Sequence, residues 1–148
     1  MKHFNVEQLA VEVYETRRQM GEAAAHAGIR LLQKVLKEKE EANVVFAAAP
    51  SQSEMLETLL ATNDVDWGRV NAFHMDNYVG LDDSAPQQFS RFLRDRLFGN
   101  LPFKSVHYLG NQVGQEKDYA ALLAGKPTDI CFMGIGENSH IAFNDPGN

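Results

Sequence analysis

Three short apolar segments separated by helix-patterned stretches predict an α/β fold. They are Asn43-Val44-Val45-Phe46-Ala47-Ala48, Val70-Asn71-Ala72-Phe73-His74-Met75 and Thr128-Asp129-Ile130-Cys131-Phe132-Met133. The first and third carry continuous apolar runs, the pattern of strands covered on both faces, so the sheet is expected to be open and mostly parallel. The architecture expected is a Rossmann-like three-layer sandwich formed by a single domain over residues 1–148.

Taken in order, residues 9–14 alternate at Val11 and Val13 and fit either a first strand or more helix. From Thr16 to Glu38, Met20, Ala24, Ala27, Leu31 and Val35 recur at helical steps, with Gly28 as a weak point in the run. The first buried strand ends at Ala49-Pro50-Ser51-Gln52-Ser53-Glu54, and Met55, Leu56, Leu59 and Leu60 then mark a second helix. After the second strand comes an acidic loop, residues 76–83. Ser84, Ala85 and Pro86 predict a helix start ahead of Phe89, Phe92, Leu93 and Leu97. A short strand is expected at residues 105–109, and a helix at 115–123 stopped by Gly125 and Pro127.

Composition narrows the function classes. Apolar residues at 44% and charged residues at 23% are ordinary for a globular chain. Fourteen Lys and Arg against twenty Asp and Glu leave a net charge of −6, which argues against a nucleic-acid partner. Cys131 is the only cysteine, so no intrachain disulfide forms, and a cytoplasmic setting is expected. No run approaches the ~18 apolar residues of a membrane span.

In a parallel sheet, ligands bind at the carboxyl ends of the strands. Three segments share that rim. Ser51, Gln52 and Ser53 precede a helix, where free N–H groups and hydroxyls suit a phosphate; alternatively, Ser51 and Glu54 form a capping box. Asp76 directly follows a strand, where a carboxylate shielded from water becomes a proton-transfer base; a solvated or capping aspartate is the alternative. His74 and Tyr78 read as packed residues. The third segment, residues 134–146, combines Gly134, Gly136, Asn138, His140 and Asp145. Glycines admit a ligand close to the backbone, histidine transfers protons, and Asn138 and Asp145 are candidates to fix its tautomer.

The strings Met75-Asp76-Asn77-Tyr78-Val79-Gly80-Leu81 and Gly134-Ile135-Gly136-Glu137-Asn138-Ser139-His140-Ile141-Ala142-Phe143-Asn144-Asp145-Pro146 resemble the glucosamine-6-phosphate deaminase/isomerase family, within the superfamily that includes 6-phosphogluconolactonases. The likeness runs from about Asn43 onward. It implies conversion of an amino-sugar phosphate to a ketose phosphate with loss of ammonia. His140 would open the sugar ring, and Asp76 would carry the proton between C2 and C1 through an enediol-type intermediate. Asp145 stands where the family has a glutamate that orients the histidine. Ser51, Gln52 and Ser53 fall in the phosphate loop, and Gly134 and Gly136 line the sugar. The resemblance implies no metal or organic cofactor, and a homo-oligomer in the full-length form.

Several departures stand out. The phosphate loop lacks the family's glycine pair, Asn138 replaces a loop aspartate, and Ser139 replaces a glycine. The family's chains continue beyond the last motif, so these residues are expected to be the N-terminal portion of a longer protein. A non-catalytic phosphosugar sensor and a lactonase are the alternative functions. The string from His140 to Asn144 disfavours the lactonase.

Overall fold

In the computed structural model, which describes residues 2–144 and 147, the chain opens with a hairpin. β1 (Lys2–Val6) pairs antiparallel with β2 (Leu9–Val13), Phe4 opposite Val11 and Val6 opposite Leu9. The strand alternative for residues 9–14 is therefore the one realised. Its partner, Lys2–Val6, has a mixed polar pattern that suggested no element.

α1 (Arg17–Glu38) begins where the Thr16 hydroxyl accepts the Gln19 N–H at 3.2 Å, satisfying one free donor of the first turn. Gly28 does not interrupt the helix. A Cβ there would lie 2.3 Å from the Phe132 ring, so the missing side chain lets α1 settle against the sheet. β3 (Ala42–Phe46) follows, then a 3-10 turn (Pro50–Gln52) leading directly into α2 (Ser53–Ala61). Arg69, in the turn before β4 (Val70–His74), donates to the carbonyls of Leu36, Lys39 and Glu40 at 2.6–2.8 Å. One guanidinium thereby closes the C-terminal end of α1.

The helix expected from Ser84 starts later. α3 spans Phe89–Leu93 and continues as a π-helical segment, Arg94–Phe98. Asp82 accepts the Ser84 N–H at 2.8 Å, and the fully buried Gln88 donates to Leu81 O at 3.0 Å. These local bonds hold residues 81–88 in turns, and side chain-to-backbone bonding of this kind competes with helix. β5 (Ser105–His107) is shorter than the expected 105–109. α4 spans Gln115–Gly125 and β6 only Ile130–Cys131. Among the described residues β6 lies at the sheet edge and pairs with β3 alone, although Phe132 N–H still bonds Val45 O at 2.9 Å.

The main sheet has the order β5-β4-β3-β6, with every neighbouring pair parallel. β3 and β4 are buried along their whole length because helices cover both faces. On one side Ala25, Ile29 and Leu32 of α1, Leu56 and Leu59 of α2, and Leu93, Leu97 and Phe98 meet Val44, Phe46, Val70 and Ala72. Phe46 stacks on Phe132 at 5.4 Å and meets Phe98 edge-on at 5.5 Å. On the other side Tyr119 of α4 packs on Phe73 at 5.9 Å and joins Val45. The α/β architecture read from the sequence is the one observed. Among the described residues, no helix is long and apolar enough to cross a membrane.

Candidate active site

β3 and β4 end side by side, and β6 ends beside β3, so the loops leaving them meet at one rim. There a cleft of about 270 Å³ is lined by Ala47, Ala48, Ala49, Pro50 and Ser51 after β3, and by Met75 and Asp76 after β4. Gly134, Ile135, Gly136, His140, Ala142 and Phe143 line it from the glycine-containing loop, and Phe89 from α3. Small side chains after β3 leave the space open. A volume near the low end for ligand pockets suits something the size of a monosaccharide.

Asp76 is half-buried, and removal from water holds its carboxyl above the usual aspartate range. His140 enters on the opposite loop. Its Nδ1 lies 2.5 Å from Asn138 Oδ1, which also accepts the His140 backbone N–H at 3.3 Å. An amide oxygen can only accept, so Nδ1 carries a proton and donates it to Asn138. The loop is closed by Gly136 N–H to His140 O and Ser139 N–H to Gly136 O, both 2.9 Å. A Cβ on Gly136 would fall 2.2 Å from the His140 ring, so only glycine leaves room for the imidazole there. Ser139 and Ala142 take φ of +68° and +56°, left-handed conformations that cost a residue with a Cβ.

Ser51, Asp76, Gly134, Gly136 and His140 thus share one cleft, and Asn138 acts from behind the imidazole. Gln52 and Ser53 do not line it. Gln52 is buried, and its Oε1 has no hydrogen-bond partner among the described residues. Ser53 turns to the other side, where its hydroxyl accepts from Arg96 at 3.3 Å and borders a separate groove. The capping box does not form either. Ser51 sits inside the 3-10 turn, and Glu54 is engaged by Arg17 at 2.9 Å instead. Arg17 also donates to Pro50 O, so the negative charge beside the turn is met by a cation. Asp145 lies outside the described residues.

One feature of the cleft had no signal in the sequence. Phe89 and Phe143, which line it, cluster with Tyr78 at centroid distances of 4.8–5.8 Å, and Phe143 reaches His140 at 6.3 Å. Among its described lining residues, none is Lys or Arg. No group of three or more His, Cys, Asp or Glu among the described residues is arranged to hold a metal ion.

The molecule is an α/β protein with a parallel sheet, and a carboxylate and an imidazole line a cleft at the carboxyl ends of its strands, the rim where such sheets bind ligands. The sequence profile of the family described as glucosamine-6-phosphate isomerases/6-phosphogluconolactonase matches residues 15–143, and the chain belongs to that family. A glucosamine-6-phosphate deaminase of Bacillus cereus (strain B4264) is 34% identical over 131 residues, 85% of this chain and 49% of the relative. The chain therefore spans about half the length of the curated relatives it matches. Among solved structures, a monomeric glucosamine-6-phosphate deaminase superposes with a TM-score of 0.77 at 24% identity, over 90% of this chain and 58% of that one. The 6-phosphogluconolactonase from Plasmodium vivax gives 0.81 at 12% identity, over 95% and 53%. At those identities the structures speak for the fold.

Proposed function

We propose that the cleft is the sugar site of a glucosamine-6-phosphate deaminase-like enzyme, acting on a hexosamine 6-phosphate by proton transfer. One observation carries the reading: a carboxylate held above its usual range and an imidazole gripped at Nδ1 by Asn138 line the same sugar-sized cleft. His140 takes the anomeric hydroxyl proton and delivers a proton to the ring oxygen, which opens the pyranose to an aldehyde. Asp76 then removes the C2 proton, the C2–H electron pair becomes the C1–C2 double bond, and the aldehyde oxygen takes up a proton to give an enolamine. Return of that proton to C1 leaves an imine at C2. Water adds to it, and ammonia leaves as the C2 ketone forms. Ring opening, the C2-to-C1 proton shift, the addition of water and the loss of ammonia are all within reach of acid–base catalysis. Gly134 and Gly136 let the sugar approach the backbone, and Ser51 offers a hydroxyl toward the phosphate end. Asp145 is proposed, from its place in the motif, to help orient His140. A cytosolic setting fits the free thiol of Cys131.

A second reading, phosphosugar binding without turnover, is favoured by Asn138. A neutral amide orients His140 but supplies no charge to an imidazolium, and the corresponding exchange in a serine protease triad costs several orders of magnitude. The deciding measurement is ammonia and ketose phosphate release from a panel of hexosamine 6-phosphates, with calorimetric binding and lactone hydrolysis run in parallel. Turnover of an amino sugar supports the deaminase. Binding without ammonia supports the sensor, and hydrolysis of 6-phosphogluconolactone alone overturns both.

A further inference from the structure

Asp76 stands just past the point where its strand loses a neighbour. β5 ends at His107, opposite Phe73, so β4 has no ladder partner on that side from His74 onward. Only the β3 side continues, with Met75 N–H bonding Phe46 O at 3.1 Å. Side chains replace the missing strand. The Tyr119 hydroxyl accepts the His74 N–H at 2.8 Å and donates to the His74 carbonyl at 2.7 Å. The His74 ring then spans two backbone groups that no strand pairs. Nε2 lies 2.9 Å from Leu109 N, and Nδ1 2.9 Å from Asp76 O. On the far side of Asp76, Asn77 donates to Leu109 O at 3.0 Å and accepts the Phe89 N–H at 3.2 Å.

Resting on the reading of Asp76 as the proton-transfer base, we propose that His74 is its positioning residue, a neutral imidazole that clamps the Asp76 backbone to Leu109 and so aims the carboxylate into the cleft. The chemistry of the two contacts fixes the tautomer. An amide N–H can only donate, so Nε2 accepts from Leu109; a carbonyl can only accept, so Nδ1 carries the proton and donates to Asp76. A protonated ring would set Nε2–H against the Leu109 N–H, and only the neutral form fits. The residue is 1% exposed, so bulk solvent does not reach the ring as a substitute partner. Asn77 grips the same residue 109 from the other side, so both neighbours of the Met75–Asp76 pair are tied to one backbone unit. Loss of either bond lets the base swing, and displacement by about 1 Å can cost on the order of 100-fold in rate.

Asparagine and glutamine separate the two contacts. An asparagine amide reaches roughly where Nδ1 sits, and a glutamine amide roughly where Nε2 sits. His74→Asn therefore keeps the donor to Asp76, while His74→Gln keeps only the acceptor for Leu109. Three readouts are taken on the full chain: long-range 15N NMR of the wild-type ring, the 13C titration of the Asp76 carboxyl in all three proteins, and steady-state kinetics on the hexosamine 6-phosphate. The wild type is expected to show a single Nδ1–H tautomer. Asp76 titrates above the usual aspartate range in wild type and His74→Asn, and falls back toward it in His74→Gln. The same variant loses kcat by roughly 100-fold with KM nearly unchanged, while His74→Asn keeps most of it. A ring proton on Nε2, or a His74→Gln protein that titrates and turns over like wild type, overturns the proposal. Because the tautomer and the titration need no substrate, they decide the clamp even if wild type releases no ammonia, a result that would instead defeat the deaminase reading.

Discussion

Burial gives the ionised form of Asp76 an energetic cost. Its folded-state pKa lies above the ordinary 3.8, so the native state holds its proton more tightly than the unfolded chain does. Above the folded value the carboxylate is ionised in a site that disfavours charge, and the native state is penalised. Asp76→Asn removes that penalty and keeps the shape. The expected outcome is a thermal midpoint at pH 7 equal to or above wild type, with turnover reduced roughly 10³-fold through loss of the base. Calorimetric melting alongside the ammonia assay checks it; a variant that melts lower yet retains activity would show that the carboxylate is structural. Ser139 also carries a cost. A glycine would occupy φ of +68° freely, whereas this chain holds a side chain there beside its imidazole.

Close packing of elements explains what the sequence pattern showed and what it hid. β3 was legible because Val44, Val45 and Phe46 form a charge-free run, and the rim residues because each follows a strand. The late start of α3 was not, since it depends on Gln88 reaching back to Leu81, a contact with no periodicity. Nor was the parting of Ser51 from Ser53, which the 3-10 geometry of Pro50–Gln52 sends to different sides. The hairpin partner of β2 was hidden by Lys2, His3 and Asn5, whose polarity resembles a loop. Gly28 reads as a flaw in α1 until Phe132, 104 positions later by subtraction, is seen to occupy its missing side chain's place. Gly28→Ala should gain about 1 kcal/mol of helix propensity and lose about 1–3 kcal/mol to overpacking, for a net loss of stability. Pairing it with Phe132→Leu should restore part of that loss. A single variant more stable than wild type, measured by denaturant midpoint, would mean the ring moves aside at little cost.

The whole molecule titrates through a few groups that bind one element to another, and their signs fix its acid response. His74 is held neutral by burial, below its ordinary 6.5, so the unfolded chain takes up a proton that the native state refuses. Its contribution is complete above 6.5 and is lost as pH falls from there toward the folded value. His107, lowered by burial and by Lys126, acts in the same sense. Glu41 provides a second, lower step. Bonds from Lys104, Asn71 and Lys126 hold its carboxyl down to about 2, so its stabilisation is present above 4.5 and disappears as pH falls through about 2. Asp76 works oppositely, gaining a proton on folding and offsetting part of the loss just above 3.8. Urea denaturation as a function of pH should therefore show stability declining below about 6.5 and again below about 4.5. His74→Asn should flatten the upper decline, leaving the part due to His107, and Glu41→Gln should reduce the lower one, leaving the parts due to Glu54 and Asp82. Because Glu41 joins the start of β3 to residues beside β5 and beyond α4, its loss should weaken the sheet as a unit. An upper decline unchanged in His74→Asn would mean that the buried imidazole is not what ties the fold to pH.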